Sequence, residues 1–325
     1  MEQIEEQQRP SRRTARGLAA LGLAAVVTGA LAAPAGAART DGGGDRTGHL
    51  RVGGRARTYL VHTPPGGGAG LPVLLAFHGG GGTGAGMARI SHLDAVADQH
   101  HFLAVYPQGY GNSWAGGKGD TPADVAGIDD VAFVRALIDQ LAADQHIDRT
   151  RVFATGLSSG GFMSQRLGCE LSDRIAGIAP VAATLLTNLA PTCNPPHPMP
   201  VLEIQGTADP LVPYDGGHVR GRGPGGYPAL SAPDSVAHWA RVNGCPAVPL
   251  TATLPALVRD GTQVRTDAYR PCRGAPVVLD TVVGGGHTWP GGEQYLPVRV
   301  VGRTTHQFDA SETMWRFFAS LPPRT

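Results

Sequence analysis

Charge is scarce in this chain and nearly balanced. Of 325 residues, 16% are charged, and 27 basic side chains stand against 26 acidic ones. Such a chain has no basic excess with which to hold nucleic acid or an anionic membrane, so neither is expected as a partner. Aromatic residues are few, at 6%, which argues against an exposed aromatic face that could grip a solid polymer. Lysine is almost missing: Lys118 is the sole lysine among the basic residues, a bias that reads as coding composition rather than function. Cysteine is limited to four residues, with no CxxC or HxxxH spacing, so no metal site is expected. Glycine is plentiful but has no three-residue period, which excludes collagen. The 42% of hydrophobic residues suffices for a buried core and separates the chain from disordered sequences.

The longest apolar run, about Leu18 to Ala33, is too short and alanine-rich for a membrane span, and no membrane anchor is expected. Arg12, Arg13 and Arg16 precede it and Ala35-Gly36-Ala37 follows it, the layout of a signal peptide over residues 1–37. Ser11-Arg12-Arg13 hints at the twin-arginine route, although no Phe-Leu follows the pair. The mature protein is expected to be secreted and monomeric, with a flexible segment at 38–47 and one catalytic domain over 48–325. In that compartment Cys169, Cys193, Cys245 and Cys272 suit two disulfides, for which three connectivities exist.

From Arg51 onward, short apolar runs alternate with helical patterns, as in an α/β fold with a mostly parallel sheet flanked by helices. Strands are expected at Thr58–His62, Pro72–Phe77, Phe102–Tyr106, Arg151–Thr155, Ile175–Val181, Pro200–Gln205 and Pro276–Val283. Helices are expected at Met87–His100, Asp130–His146, Ser159–Leu171, Pro233–Val242 and Ala310–Ser320. In the second helix Val131, Val134, Leu137, Ile138 and Leu141 share one face, and Asp129 or Asp130 can cap its start. Gly216–Pro233, rich in Gly and Pro, reads as a surface loop near the site.

The sharpest motif is Gly156-Leu157-Ser158-Ser159-Gly160-Gly161, a G-x-S-x-G elbow between an expected strand and an expected helix. The glycines permit a turn tight enough to lift Ser158 off the sheet edge. A serine at its free pKa is a poor nucleophile, so a base and an orienting acid are sought further along, in the order Ser, Asp, His. His287, between glycines just past a strand, is the base; Asp209, beyond the strand Pro200–Gln205, is the acid. Asp215 and Asp234 are weaker rivals because each falls in a loop or a helix cap. Developing negative charge on the substrate oxygen needs two fixed N–H donors. Those of Ser159 and of Gly80, in His78-Gly79-Gly80-Gly81-Gly82, are the candidates, with Gly81 next. That loop also matches G-x-G-x-x-G through Gly79, Gly81 and Gly84, the signature of a dinucleotide-dependent oxidoreductase. However, the next strand ends Tyr106-Pro107-Gln108-Gly109, without the acid such a site needs. No cofactor is therefore expected.

Together, the loop at His78, Tyr106–Gly109, Asn112-Ser113-Trp114, Asp129-Asp130-Val131, the Ser158 elbow, Gly206–Tyr214, Asn243-Gly244-Cys245 and Gly284–Gly292 resemble secreted polyhydroxybutyrate-depolymerase-like esterases, close to feruloyl esterases. The resemblance implies an α/β-hydrolase fold and a Ser-His-Asp triad at Ser158, His287 and Asp209. It favours the local pairings Cys169–Cys193 and Cys245–Cys272. It implies substrates among polyesters and hydroxyalkanoate oligomers, feruloyl-type aryl esters and small short-acyl esters. Trp114 and Trp289, in motif loops, are expected to bound the substrate pocket. The short stretch between Ser158 and Asp209 leaves no room for a large lid. A non-catalytic polyester- or carbohydrate-binding relative would have lost a triad member, and none is lost.

Overall fold

The structure, a computed structural model, describes residues 43–220 and 228–324. The expected signal peptide lies outside the described residues. The strands are β1 (Gly44–Val52), β2 (Arg55–Thr63), β3 (Val73–Phe77), β4 (Leu103–Pro107), β5 (Val152–Leu157), β6 (Gly177–Val181), β7 (Val201–Gly206), β8 (Gly217–His218), β9 (Pro228–Ala229), β10 (Leu250–Thr253), β11 (Gln263–Tyr269) and β12 (Val277–Val283). The helices are α1 (Gly84–Ser91), α2 (Leu93–His100), α3 (Pro122–Val125), α4 (Asp130–Gln145), α5 (Ser159–Glu170), α6 (Ala232–Val242), α7 (Val298–Val301) and α8 (Ala310–Ala319).

Ten strands form one sheet in the order β1-β2-β4-β3-β5-β6-β7-β12-β11-β10. The central strands from β4 to β12 pair in parallel, while two strands at each edge are antiparallel. Parallel strands covered on both faces read as near-continuous apolar runs, and β3, β4, β5, β6 and β7 are buried along their whole length. Alternate residues of β3 serve the two cores. Val73, Leu75 and Phe77 pack with Phe133, Val134 and Leu137 of α4 and Met163 and Leu167 of α5. Leu74 and Ala76 join Met87 of α1, Leu93 and Val96 of α2, and Met314, Trp315 and Phe318 of α8.

Several expectations are revised. Of the segment 38–47, expected to be flexible, residues 44–47 belong to β1 and pair with β2, and residues 38–42 lie outside the described residues. The helix expected at Met87–His100 is two helices, because His92 adopts a left-handed φ of 53° that breaks the first and starts the second. Asp129, not Asp130, caps α4 by accepting from the Ala132 N–H at 2.8 Å. Asp130 instead pairs with Arg57 at 2.6 Å, both buried, and accepts from the Ala115 N–H. The stretch Gly216–Pro233 carries a small ladder, Gly217 opposite Ala229 and His218 opposite Pro228, before α6 begins. Its residues 221–227 lie outside the described residues. Between Ser158 and Asp209 the chain holds only α5, β6, a 3-10 turn and β7. The two cysteine pairs are Cys169–Cys193 and Cys245–Cys272.

Candidate active site

Chain direction across the sheet fixes where a site can form. After β3 the chain crosses to β4 on one side, and after β5 it crosses to β6 on the other. Loops leaving adjacent strands in opposite directions open a crevice at their carboxyl ends. The His78–Gly82 loop leaves β3 and Ser158 leaves β5, side by side in that crevice, with Phe77 in register with Gly156. A cavity of about 890 Å³ lies there, lined among others by Gly80, Ser158, Ser159 and His287.

Ser158 occupies φ 57°, ψ −117°, a conformation few non-glycine residues adopt. Neighbouring glycines make it attainable. A Cβ on Gly156 would lie 2.5 Å from the Gly160 carbonyl carbon, and one on Gly160 would collide with the Phe77 carbonyl. Ser158 also sits at the N-cap of α5 without spending its hydroxyl on a capping bond. Its N–H is held by the Val181 carbonyl at 2.9 Å. The first N–H groups of a helix have no partner within it, so the Ser159 N–H at the cavity wall is a free donor by position. Within the glycine loop, Gly81 donates to the Asn112 carbonyl at 2.8 Å and Gly82 to the Gly79 carbonyl at 3.0 Å. Among the described residues the Gly80 N–H has no such partner, which separates it from Gly81 as a donor to a ligand.

Residues of two other motifs hold that loop from beneath. His78 donates from Nδ1 to the Gly79 carbonyl at 2.8 Å, and its Nε2 accepts from the Gly109 N–H at 3.0 Å. An imidazole that must accept at Nε2 is neutral, in keeping with the burial that lowers its pKa. Gln108 Oε1 accepts from the Gly84 N–H at 3.1 Å. The position where a dinucleotide site needs an acid thus carries an amide bound to the loop itself.

Asp209 and His287 follow β7 and β12, which are neighbours in the sheet. Their loops are joined by backbone bonds, Thr207 N–H to the Val282 carbonyl and Ala208 N–H to the Gly285 carbonyl. The approach requires glycine at 206, because a Cβ there would lie 2.6 Å from the Gly286 carbonyl. His287 Nδ1 and Asp209 Oδ2 are 2.7 Å apart, and both side chains are buried. Asp209 Oδ1 accepts from the Leu211 and Val212 N–H groups at 2.8 and 2.9 Å. With Asp209 a carboxylate, Nδ1 carries the ring proton and Nε2 remains an acceptor. Among the described residues no hydrogen bond joins Ser158 to His287; what they share is the cavity. Sequence reading missed Tyr295, which lines the cavity and donates its hydroxyl to the His287 carbonyl at 3.0 Å. No motif marks it.

Trp114 and Trp289 require correction as pocket walls. Both are fully buried and neither lines the cavity. A large ring with a single N–H donor is well satisfied beneath a loop. Trp114 donates to the His78 carbonyl at 2.9 Å and packs edge-on against Phe77. Trp289 donates to Ser311 Oγ at 3.1 Å, which ties the His287 loop to α8. They support the site from behind.

One group, Asp45, His62 and Asp94, brings metal-ligand side chains together among the described residues. His62 already places Nδ1 2.7 Å from Asp45 and Nε2 2.8 Å from Asp98. Burial opposes its charge, but those hydrogen bonds prevail and raise its pKa. Both ring nitrogens of His62 are thus already paired with carboxylates.

No family model matches the chain. Its sequence is 37% identical over 273 residues to the putative esterase NocK of Nocardia uniformis subsp. tsuyamanensis, covering 81% of this chain and 79% of that one. The chain belongs to the same family of esterases. Feruloyl esterase B of Piromyces equi is 31% identical over 243 residues, 71% of this esterase and 42% of that protein. Poly(3-hydroxyalkanoate) depolymerase C of Paucimonas lemoignei is 34% identical over 144 residues, 42% of this chain and 34% of that protein. The esterase therefore spans less than half the length of these last two relatives. An acetyl xylan esterase from Aspergillus awamori superposes with a TM-score of 0.52 at 15% identity, over 71% of this chain and 89% of that one. That likeness shows the shared α/β-hydrolase fold. Among the described residues no helix is long and apolar enough to cross a membrane.

Proposed function

We propose that this esterase hydrolyses carboxylic esters through Ser158 as nucleophile, His287 as general base and acid, and Asp209 as the group that orients His287. The observation that carries the reading is the buried 2.7 Å contact of His287 with Asp209, beside a cavity that Ser158 shares. Ser158 Oγ attacks the ester carbonyl carbon while His287 Nε2 takes its proton. Charge that develops on the carbonyl oxygen is met by the N–H groups of Ser159 and Gly80, fixed before the substrate arrives. His287 then gives the proton to the departing alkoxide, leaving an acyl group on Ser158. Water, deprotonated by the same nitrogen, releases the acid and restores the serine. Hydrogen bonds between a catalytic serine and its base are commonly loose without substrate, which is compatible with their absence here.

The substrate class we infer is soluble: short-acyl esters, hydroxyalkanoate oligomers or feruloyl-type aryl esters. A cavity of about 890 Å³ is of a size for one such molecule. The arginine-led apolar leader and the two disulfides support an extracellular location. The test is a chain-length series of nitrophenyl esters with methyl ferulate and hydroxybutyrate oligomers, run on the protein and on Ser158→Ala. Turnover is expected to fall with acyl length and to drop roughly 10⁴- to 10⁶-fold in the variant. A variant that keeps its rate, or a rate that climbs toward long chains at an oil–water interface, would overturn the reading.

A further inference from the structure

The cavity wall carries a charged pair that the proposed hydrolysis leaves unused. Lys118 and Asp120 both line it, and their side chains are only 12% and 9% exposed. Asp120 Oδ1 is buried without a hydrogen-bond partner. Lys118 Nζ stands 3.9 Å from it, close enough to attract but beyond hydrogen-bonding distance. A buried carboxylate oxygen left without a donor is costly, and this one is left so at the edge of a substrate cavity.

The backbone that presents the pair is pinned on every side of it. Gly117 accepts from Asn188 Nδ2 at 2.9 Å, and Gly119 donates to Asp124 Oδ2 at 2.9 Å. Thr121 donates to the Trp114 carbonyl at 2.9 Å and closes a capping box with Asp124 at the start of α3. The neighbours are fixed and the two side chains are not used to fix them.

We propose that Lys118 and Asp120 recognise a hydroxyl group on the ester substrate. This rests on the reading of Ser158 as nucleophile, since it deepens the specificity of that cavity. An anion placed between the two would meet the Asp120 charge, and a cation would meet that of Lys118. A hydroxyl satisfies both, because one oxygen donates to Asp120 Oδ1 and accepts from Lys118 Nζ. Two hydrogen bonds of about 2.8 Å across the gap would subtend roughly 90° at that oxygen, a workable geometry. A substrate lacking the hydroxyl leaves two charged groups without partners, and sites of this kind discriminate strongly against such analogues. The lone lysine of the chain then has a role that composition hides.

The experiment compares esters that differ by one hydroxyl. Nitrophenyl 3-hydroxybutyrate against nitrophenyl butyrate places it on the acyl side; 2-hydroxyethyl butyrate against ethyl butyrate places it on the alcohol side. In one of the two pairs the unaltered protein is expected to favour the hydroxylated ester by about 10- to 100-fold in kcat/KM. In Asp120→Ala and in Lys118→Met that ratio is expected to collapse toward parity. Partial misfolding of a variant lowers both rates together and cannot by itself change the ratio, so the collapse reads the loss of the pair. Ratios near one for both pairs in the unaltered protein, or a preference that survives both substitutions, would overturn the proposal. Failure of the nucleophile reading shows separately, as nitrophenyl butyrate hydrolysis that persists in Ser158→Ala.

Discussion

A single atom decides what Asp209 does for His287. Its Oδ1 is claimed by the Leu211 and Val212 N–H groups, and its Oδ2 faces the ring while accepting a longer bond from Gln205 Nε2 at 3.3 Å. In Asp209→Asn those two donors would hold the amide oxygen and turn the NH₂ group toward Nδ1. The ring proton would then move to Nε2, where a base must be bare. Turnover at neutral pH is expected to fall roughly 10⁴-fold. The low-field proton resonance of Nδ1–H should vanish from the NMR spectrum of the variant. A variant with the resonance intact, or with a near-normal rate, would remove Asp209 from its proposed role. At this scale the sequence is a good guide to backbone and a poor one to side-chain direction. The glycine spacing around Ser158, Gly206 and His287 announces tight turns, and tight turns are what these positions form. Trp114 and Trp289 also sit in motif loops, yet proximity along the chain does not say whether an indole faces the cavity or the core.

Among elements, those that pack on two sides were legible and those at the margins were not. The strands β3 to β7 follow near-continuous apolar runs of the kind a covered sheet explains. The two edge strands are different. β1 and β10 are largely exposed; in β1 the apolar alternation is limited to Leu50 and Val52, too short to distinguish it from a linker, and pairing with β2 makes it a strand. The break at His92 was also hidden, because apolar spacing continues through it while one residue turns left-handed. Cys169 lies near the end of α5, the helix that Ser158 opens, and its partner Cys193 follows the 3-10 turn after β6. Joining residues 24 apart in sequence is worth about 3 kcal/mol through loop closure in the unfolded chain. The double variant Cys169→Ser with Cys193→Ser should therefore lower the urea midpoint by that amount divided by the slope, with the slope itself raised only slightly. Ester hydrolysis well below the transition should be retained, since the bridge closes the far end of α5 rather than the Ser158 end. A variant as stable as the parent would show that the bond does not constrain the fold.

Across the whole molecule, one buried acid links elements from separate parts of the chain. Glu203 lies in the middle of β7 and is wholly buried. Its Oε2 accepts from Ser235 Oγ of α6 at 2.5 Å and from Gln165 Nε2 of α5 at 2.9 Å. Gln165 Oε1 in turn accepts from Trp239 Nε1 at 2.8 Å, so the same network joins the helix behind Ser158 to the strand that leads to Asp209. Sequence reading did not single it out, because one acid in a strand carries no motif that marks it as buried. Burial pushes its pKa from 4.5 up to about 8, with the Ser235 and Gln165 hydrogen bonds pulling the other way. The folded value lies above the unfolded one, so the fold favours the protonated acid. Its contribution to stability is complete below about pH 4.5 and declines as pH rises, until the group is ionised in both states above about pH 8. Thermal melting of the unaltered protein and of Glu203→Gln across pH 5 to 9 measures this. The difference in melting temperature between the two should shift in favour of Gln as pH rises through that window, because the amide keeps a neutral partner for Ser235 at every pH. A difference that stays constant from pH 5 to pH 9 would mean that Glu203 does not change its charge within the folded protein, and that the link between β7, α5 and α6 is indifferent to pH.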